Sequence, residues 1–229
     1  MRIGIIGASG NIGSRILAEA VARGHDLVAY TRSGAATKGT PWRDLDIFDQ
    51  EALRTVASSV DVVVSSYHPG STARDPRDAI QRAISDPSVY SRAAANLLRA
   101  LESRPATRVI VVGGAASLEM APGVTADGDE ARMRGILRSL GVPEDYVVAV
   151  NGHHDALNLL RQSNRRWTYV SPPAEIQAGT RTGRFRVGGD QLLTDAQGRS
   201  HISYEDLAVA IVDEIEDPRH IQRRFTVAY

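Results

Sequence analysis

The chain contains no cysteine, which excludes disulfide bonds, thiolate metal ligands and a cysteine nucleophile. It carries no excess charge, because 27 basic residues balance 27 acidic ones, so nothing favours nucleic acid or an anionic membrane as a partner. No apolar run reaches the length of about 18 residues that a membrane span needs. Strand-like residues begin at the N-terminus and leave no room for a signal peptide, so we expect a cytoplasmic protein.

Metal-ligand spacing is also missing. The six histidines show neither an H-x-x-x-H nor an HExxH arrangement, so no metal site is predicted. The adjacent pair His153-His154 would point to different sides of a helix and would not easily share one ion. With nucleic acid, membrane and metal ions disfavoured, we expect a small molecule as the partner. We expect the protein to be a monomer or a homodimer.

Strand-like and helical patterns alternate along the 229 residues. Continuous runs such as VVV and VIVV are typical of strands buried on both faces of a parallel sheet. Strands are predicted at Ile3–Ile6, Leu27–Thr31, Trp42–Ile47, Val60–Ser65, Arg108–Gly113, Trp167–Val170 and Phe225–Ala228. Helices are predicted at 11–23, 49–58, 76–103 and about 144–163, with one more capped by Ser203. The alternation predicts one α/β domain, residues 1–229, with a doubly wound parallel sheet that binds ligands at the carboxyl ends of its strands.

Residues 171–202 differ in composition from the rest of the chain, being rich in glycine, proline, threonine and arginine. Short apolar runs at Phe185–Val187, Leu192–Thr194 and Ser200–Ile202 are separated by GGD and DAQG turns. We expect this segment to form a small C-terminal substrate lobe that packs over the carboxyl edge of the sheet and covers the ligand site.

The segment IGIIGASGNIG, residues 3–13, joins the first predicted strand to the first predicted helix. Gly7, Gly10 and Gly13 permit a tight turn, a close backbone approach and a helix N-terminus that points N–H groups at a phosphate. The turn is typical of dinucleotide binding, and the intervening residues of the loop are Ser9, Asn11 and Ile12. The alternative is a strand–turn–helix unit whose glycines serve packing only.

The end of the second strand indicates which nicotinamide nucleotide is bound. An NAD-specific site places an acid there, on the ribose 2′-hydroxyl, but this chain has Arg32 and Ser33 instead. A guanidinium can grip a 2′-phosphate, so Arg32 favours NADP(H) over NAD(H), with Ser33 and Lys38 assisting. Asp46 and Ile47 end the third strand, where a carboxylate can accept from the adenine amino group and an aliphatic side chain can pack on the ring. The alternative for Arg32 is a solvated loop arginine.

These residues resemble the atypical short-chain dehydrogenase/reductase group, and in particular the NAD(P)H-binding proteins around biliverdin reductase B, flavin reductase and the NmrA-like proteins. The resemblance extends over nearly the whole chain. Its motifs are IGIIGASGNIG, TRS, DLDIFD, SSYHPG, VVGGAASLE, WTYVSPP and ISYEDLAVAIVDEIEDP. It implies a Rossmann-type fold with bound NADP(H), and often hydride transfer to flavins, quinones or other small conjugated acceptors. Some NmrA-like relatives bind the nucleotide without turnover.

The resemblance also implies nucleotide contacts beyond the first strands. The loop after the fourth strand commonly borders the nicotinamide ribose, and the segment after the sixth strand contacts the nicotinamide end. The residues that it assigns to these contacts are Ser65, Ser66, Tyr67, Gly113, Gly114, Ser171, Pro172 and Pro173. For the two prolines the alternative is that they simply end a strand.

The sequence departs from the ordinary members of the group in its catalytic residues. Those enzymes use Tyr-x-x-x-Lys, in which lysine lowers the pKa of the tyrosine, but Lys38 is the only lysine here and no tyrosine precedes it by four residues. Either the reaction needs no strong protein acid, or another residue supplies the proton. Candidates are Ser117, Tyr146 and His153, for each of which a structural role is the alternative.

We therefore hypothesise an NADP(H)-dependent oxidoreductase that transfers hydride to a small planar acceptor, such as a flavin, a quinone or a carbonyl compound. The competing hypothesis is a non-catalytic redox sensor of the NmrA-like type, which the missing Tyr-x-x-x-Lys motif favours. The predicted substrate lobe favours an enzyme. An isomerase or epimerase with nicotinamide as internal cofactor is a third hypothesis. The absence of the catalytic tyrosine argues against it more strongly than against the other two.

Overall fold

The computed structural model describes residues 1–32, 41–70 and 75–229, so the predicted contacts of Ser33 and Lys38 lie outside the described residues. Its strands are β1 (Arg2–Ile6), β2 (Asp26–Thr31), β3 (Trp42–Asp44), β4 (Val62–Ser65), β5 (Arg108–Val112), β6 (Glu119–Ala121), β7 (Val124–Thr125), β8 (Trp167–Ser171), β9 (Glu175–Gln177), β10 (Arg186–Gly188), β11 (His201–Ser203) and β12 (Arg223–Ala228). Its helices are α1 (Asn11–Ala22), α2 (Gln50–Ser59), α3 (Pro76–Ser85), α4 (Val89–Ala100), α5 (Glu130–Ser139), α6 (Val147–Arg161) and α7 (Tyr204–Glu216). Among these helices, none has the length and apolar character that crossing a membrane requires.

Eight strands form the central sheet in the order β10-β12-β8-β5-β4-β1-β2-β3. Every neighbouring pair is parallel except β10 with β12 at the edge. From β1 the chain moves outward to β2 and β3, and then returns to the other side of β1 with β4. This reversal opens a crevice at the carboxyl ends of β1 and β4, where doubly wound sheets bind ligands. The predicted Rossmann-type, doubly wound sheet is confirmed.

Helices cover both faces of the sheet because both faces of the strands are apolar. On one face α1 packs against α7, and Ile16 and Leu207 join Ile3 and Ile5 in one core cluster. On the other face α2, α4 and α6 bury Leu53 and other side chains in a second cluster. The continuous valine and isoleucine runs of the strands therefore serve two cores at once.

The predicted helix 76–103 was wrong as a single element. The structure has α3 and α4 in its place, separated by Asp86–Ser88 and followed by a 3-10 turn at Leu101–Ser103. Pro87 lacks a backbone N–H and disfavours helical backbone at the preceding residue, and Asp86 has φ −135° and ψ 82°. The predicted helix 144–163 likewise begins with a 3-10 turn at Glu144–Tyr146, before α6.

The segment between β5 and α6 contains structure that the sequence analysis did not predict. It holds the β6–β7 hairpin and α5. The signal for α5 was present, because Met133, Ile136, Leu137 and Leu140 have the i, i+3, i+4, i+7 spacing of a helix face. Asp129 precedes them and caps the helix, its side chain accepting from the Arg132 N–H.

The C-terminal segment contributes short strands rather than a separate layer. Within 171–202, β9 pairs with β11 and β10 extends the central sheet beside β12. The predicted run at Leu192–Thr194 is not a strand, whereas β9 was not predicted. The predicted Ser203 cap of α7 is confirmed, because its hydroxyl oxygen accepts from the Asp206 N–H at 3.0 Å.

Helix α1 meets the ends of β1 and β4 at Gly13, where no side chain fits. A Cβ on Gly13 would lie 2.2 Å from the Gly7 carbonyl oxygen and 2.7 Å from Ser66 Oγ. Gly7 itself has φ +77°, a left-handed conformation that favours glycine. The close approach of helix and sheet therefore requires glycine at both positions.

We expect Gly13→Ala to lower the free energy of unfolding by about 1–3 kcal/mol, because backbone must shift to admit the methyl group. The matched control is Gly135→Ala in α5, where a Cβ meets nothing within 4 Å among the described residues. Alanine there should raise the free energy of unfolding by about 0.5–1 kcal/mol through helix propensity. Urea denaturation of both variants measures the difference, and equal effects would contradict the packing argument.

Candidate functional site

A cavity of about 780 Å³ lies along the carboxyl ends of the parallel strands. It extends from the glycine-rich turn past the ends of β2 and β4 to the segment between β5 and α6. The site residues predicted from the sequence that line it are Gly7, Ser9, Gly10, Asn11, Ile12, Gly13, Arg32, Asp46, Ile47, Ser66, Tyr67, Gly113, Gly114, Ser117, Tyr146, His153, Pro172 and Pro173. The tertiary structure thus brings residues from almost every strand end into one space.

At one end of the cavity the backbone offers hydrogen-bond donors. Helix α1 begins after Gly10, which provides no side-chain cap, and its first turn holds no acidic residue. The first N–H groups of a helix have no partner within the helix, so those of α1 are available to an anion. A Cβ on Gly10 would meet only the Gly7 carbonyl oxygen, at 3.3 Å, among the described residues. This open backbone fits the phosphates of a dinucleotide.

Beside this turn lies the end that the sequence analysis assigned to the adenosine. Arg32 follows β2 directly and is exposed, and Asp46 and Ile47 follow β3. One carboxylate oxygen of Asp46 accepts from the Phe48 N–H at 2.9 Å, which fixes the direction of the side chain. Phe48 in turn meets Tyr67 edge to face, with ring centroids 6.0 Å apart. Aromatic and aliphatic side chains thus line a slot suited to a flat ring.

The loop after β4 forms the middle of the cavity. Ser66 is held in place because its hydroxyl donates to the Ile6 carbonyl at 3.0 Å. Burial raises the pKa of Tyr67 to about 12 and lowers the pKa of His68 to about 4. Both side chains are therefore uncharged at neutral pH. This loop presents backbone and neutral groups, which suit a sugar.

The loop after β5 is fixed by a tyrosine from β8. The Tyr169 hydroxyl donates to the His153 carbonyl at 3.0 Å and accepts from the Gly114 N–H at 3.4 Å. A Cβ on Gly113 would lie 1.9 Å from this hydroxyl. Gly113 is therefore needed for packing as well as for its place in the cavity.

Ser117 is positioned by a buried arginine of β12. Arg224 Nη1 donates to the Ser117 carbonyl at 2.9 Å and to Ser117 Oγ at 3.0 Å, and Arg224 Nε donates to Asp190 at 2.9 Å. The arginine thus joins the loop after β5 to the segment after β10. Because Ser117 Oγ accepts from Arg224, its own hydrogen remains to be donated into the cavity.

His153 and Tyr146 lie on the wall formed by α6 and the turn before it. The His153 ring stacks on Tyr90, with centroids 3.7 Å apart, and Tyr90 meets His68 edge to face. Burial lowers the pKa of His153 to about 3 and raises the pKa of Tyr146. His153 is therefore a neutral imidazole at pH 7, and Tyr146 keeps its proton.

Ser65 and Ser171 differ from the other predicted residues because both are buried within the sheet, at the last positions of β4 and β8. Each lies just behind a residue that does line the cavity, Ser66 after Ser65 and Pro172 after Ser171. Successive side chains of a strand point to opposite faces, and the side chains of these two serines are buried rather than directed into the cavity. The nucleotide contacts predicted for them would therefore have to be made by their backbone atoms.

The sequence analysis missed the apolar wall opposite the glycine-rich turn. Leucine, isoleucine, methionine and valine side chains from β6, α5, α6 and the loops between them line this part of the cavity. They are Leu118, Met120, Met133, Ile136, Leu137, Leu140, Val142 and Val150. Leu192 and Ile176 complete it from the C-terminal segment. The helical spacing in α5 was the signal that could have found most of them.

The two neutral histidines should make the protein less stable in mild acid. An unfolded histidine titrates near about pH 6.5, whereas burial lowers the pKa of His153 to about 3 and of His68 to about 4. Below pH 6.5 the unfolded chain therefore binds protons that the folded chain does not. The free energy of unfolding should fall by about 1 kcal/mol per histidine between pH 7 and pH 5.5.

Urea denaturation at the two pH values measures this loss, and His153→Gln should remove one histidine's share of it. A variant that loses as much stability in acid as the unsubstituted protein would contradict the assignment of His153 as neutral.

Comparison with known proteins gives the site its context. The chain is 33% identical over 232 residues to the uncharacterized protein YwnB of Bacillus subtilis (strain 168), covering 99% of this chain and 98% of YwnB. It is similar to the crystal structure of a "putative exported protein" from Burkholderia pseudomallei, with 37% identity, a TM-score of 0.80 and full coverage of both chains. A "putative NADH-flavin reductase" from Streptococcus pneumoniae TIGR4 has 29% identity and a TM-score of 0.80, over 100% of this chain and 99% of that one.

The family comparison agrees with the geometry of the cavity. The model of an NAD(P)H-binding family matches residues 7–218, which include the glycine-rich turn, every parallel strand after β1 up to β8, and α7. The uncapped start of α1 and the open backbone at Gly10 are the features that such a nucleotide needs. The resemblance inferred from the sequence is confirmed at this level: the chain belongs to the NAD(P)H-binding family.

Proposed function

We propose that the protein is an NADP(H)-dependent reductase that transfers hydride to a small, planar, uncharged acceptor. The observation that carries this proposal is the shape of the cavity, which joins a phosphate-binding turn to an apolar compartment without interruption. A protein that only senses the nucleotide has no need of the second compartment. The similarity to a "putative NADH-flavin reductase" supports the same class of reaction.

The residues of the chain fit the nucleotide from one end of the cavity to the other. Gly10 and the first N–H groups of α1 would bind the pyrophosphate, and Asp46 with Ile47 would hold the adenine. The loop after β4 would bind the nicotinamide ribose, and Pro172 and Pro173 would border the nicotinamide. When bound, the nicotinamide supplies the hydride.

The preference for NADP(H) rests on Arg32. Its guanidinium stands at the end of β2, where an NAD-binding site places a carboxylate that accepts from the ribose 2′-hydroxyl. Arg32 offers several N–H donors in a planar fork, which suits a 2′-phosphate. It is also the one arginine or lysine among the described lining residues.

The acceptor compartment determines what can be reduced. The fully charged side chains among the described lining residues, Arg32 and Asp46, both lie at the adenosine end. The rest of the described wall is apolar or carries hydroxyl, amide and imidazole groups and no arginine or lysine, so an acceptor with phosphate or carboxylate groups would lose hydration without meeting a permanently charged partner. Flat, uncharged rings such as quinones and riboflavin fit this compartment best.

The chain can orient an acceptor without a strong acid. Ser117 Oγ, fixed by Arg224, can donate to an acceptor oxygen, and the apolar wall can pack against the acceptor ring. Reduced flavins and quinones can take their proton from solvent, which accommodates the missing Tyr-x-x-x-Lys motif. Of the predicted donor candidates, Ser117 and Tyr146 remain, whereas His153 holds no imidazolium proton at neutral pH.

Arg32→Ala should weaken NADPH binding by about 10- to 100-fold, the loss expected for hydrogen bonds to a charged group. NADH binding should change less than about threefold, because NADH carries no 2′-phosphate. Fluorescence or calorimetric titration with both nucleotides measures the two constants. Arg43→Ala, an exposed position in β3 outside the cavity lining, is the matched control. Equal losses for the two nucleotides would contradict the 2′-phosphate assignment.

The acceptor proposal predicts NADPH oxidation with menadione, other small quinones and riboflavin. FMN and FAD should be at least about tenfold poorer in kcat/KM, because their phosphates must enter an apolar compartment. Absorbance of the reduced nicotinamide follows the reaction directly. Tight NADPH binding without oxidation by any acceptor would overturn the reductase proposal and favour a sensor. A preference for FMN would overturn the uncharged acceptor alone.

A further inference from the structure

A histidine and a buried carboxylate face each other at the acceptor side of the cavity. His154 belongs to α6 and lines the cavity, and Asp127 lies in the loop just before α5. His154 Nδ1 is 2.9 Å from Asp127 Oδ2, and the side chains are 39% and 2% exposed. The sequence analysis did not identify Asp127, and of the adjacent histidines it selected His153 as the candidate rather than His154.

Asp127 is an unusual residue to find buried. Neither of its carboxylate oxygens has a hydrogen-bond partner that meets geometric criteria among the described residues. A buried carboxylate without donors costs free energy, so such a group calls for a functional explanation. The nearby imidazole explains it, because a small rotation of the ring would align Nδ1–H with Oδ2, already within hydrogen-bond distance.

The backbone holds Asp127 in place independently of His154. The N–H groups of Ala126 and Asp127 both donate to the Ala116 carbonyl, at 3.1 and 3.2 Å. Ala116 lies in the loop after β5 and lines the cavity next to Ser117. The carboxylate is therefore anchored to the same loop that borders the acceptor.

The arrangement assigns different tasks to the two ring nitrogens of His154. With Nδ1 facing Asp127, the carboxylate fixes the tautomer and the orientation of the ring, as it does for catalytic histidines in other enzymes. Nε2 lies on the other side of the ring and is the nitrogen left to serve the cavity. Because His154 is partly exposed, water can return a proton to it.

We propose that His154 delivers the proton that accompanies reduction and that Asp127 is its positioning residue; this inference rests on the proposed function. Hydride uptake leaves negative charge on an oxygen or a ring nitrogen of the acceptor. The N–H bond at His154 Nε2 breaks, and the proton forms an O–H or N–H bond on the acceptor. His154 retains its Nδ1 proton, held by Asp127, and regains the other from solvent. One hydride and one proton thus reach the acceptor.

His154 suits this task better than its neighbour His153. The His153 ring is stacked on Tyr90, and desolvation lowers its pKa to about 3, so at neutral pH it has no imidazolium proton to give. The sequence contains no Tyr-x-x-x-Lys motif to take the role. In this proposal His154 and Asp127 together supply the proton that the missing motif would have supplied.

The competing explanation is that the pair only ties the loop before α5 to α6. The variants Asp127→Asn and His154→Gln, with Asp155→Asn as the matched control, separate the two. Asp155 is the next residue of α6 and is exposed. His154→Gln should lower kcat with menadione by about 100-fold, and Asp127→Asn by about tenfold, with the Kd for NADPH and the free energy of unfolding unchanged. Added imidazole should restore part of the activity of His154→Gln.

A measurement that does not depend on turnover tests the positioning role. Nitrogen-15 NMR of the histidine side chains reports which ring nitrogen carries the proton. Neutral His154 should hold its proton on Nδ1 in the unsubstituted protein and in Asp155→Asn, and shift it towards Nε2 in Asp127→Asn.

The possible results separate the two proposals. Unchanged kcat in His154→Gln, or the same tautomer in Asp127→Asn, would overturn the proton-delivery pair while the reductase proposal stands. If the unsubstituted protein fails to oxidise NADPH with any of the acceptors tested, the proposed function is overturned, and the delivery of a proton with it. If His154→Gln and Asp127→Asn lose stability and activity in parallel, the pair serves only to connect the loop before α5 to α6, and the proton-delivery proposal is overturned.

Discussion

The structure depends on one close contact, between the first turn of α1 and the ends of β1 and β4. Gly13 lies so near the Gly7 carbonyl and Ser66 that no Cβ could be accommodated, and Ser66 is tied back to Ile6. This contact sets the angle at which α1 leaves the sheet and aims its uncapped N–H groups along the carboxyl edge. The same glycines therefore pack the helix against the sheet and leave the first N–H groups of α1 uncapped.

The opposite end of the site is built on a different principle. There, long-range contacts made by buried polar groups hold loops that have little regular structure. Arg224 of β12 donates a hydrogen bond to Ser117. The Tyr169 hydroxyl of β8 accepts from the Gly114 N–H and donates to the His153 carbonyl. Buried polar groups that are fully paired fix one arrangement of their surroundings. This side of the cavity thus has a defined shape, although its walls come from loops, a hairpin and a short helix.

Most of the cavity lining near the glycine-rich turn could be predicted because its residues are local. The turn is a strand, a few glycines and a helix start, all within residues 3–13, and Arg32 follows at a strand end that the apolar pattern marks. The break at Pro87 was also readable from local backbone chemistry, yet the helical composition on both sides concealed it. The spacing of Met133, Ile136, Leu137 and Leu140 marked α5, but a wall of the cavity cannot be recognised before the fold brings it there.

By itself, the sequence determined the class of sheet, the glycine-rich turn between β1 and α1, the absence of a Tyr-x-x-x-Lys motif and the arginine at the end of β2. These follow from residue type and short-range spacing, because steric and hydrogen-bonding rules act over a few residues. Only the tertiary structure decided which polar groups meet across long separations. Asp127 and His154 lie on different elements, as do Ser117 and Arg224, and no local pattern specifies their distances. The packing of α5 and α6 beside the sheet, with β12 as one of its strands, brings them together and forms the apolar side of the cavity.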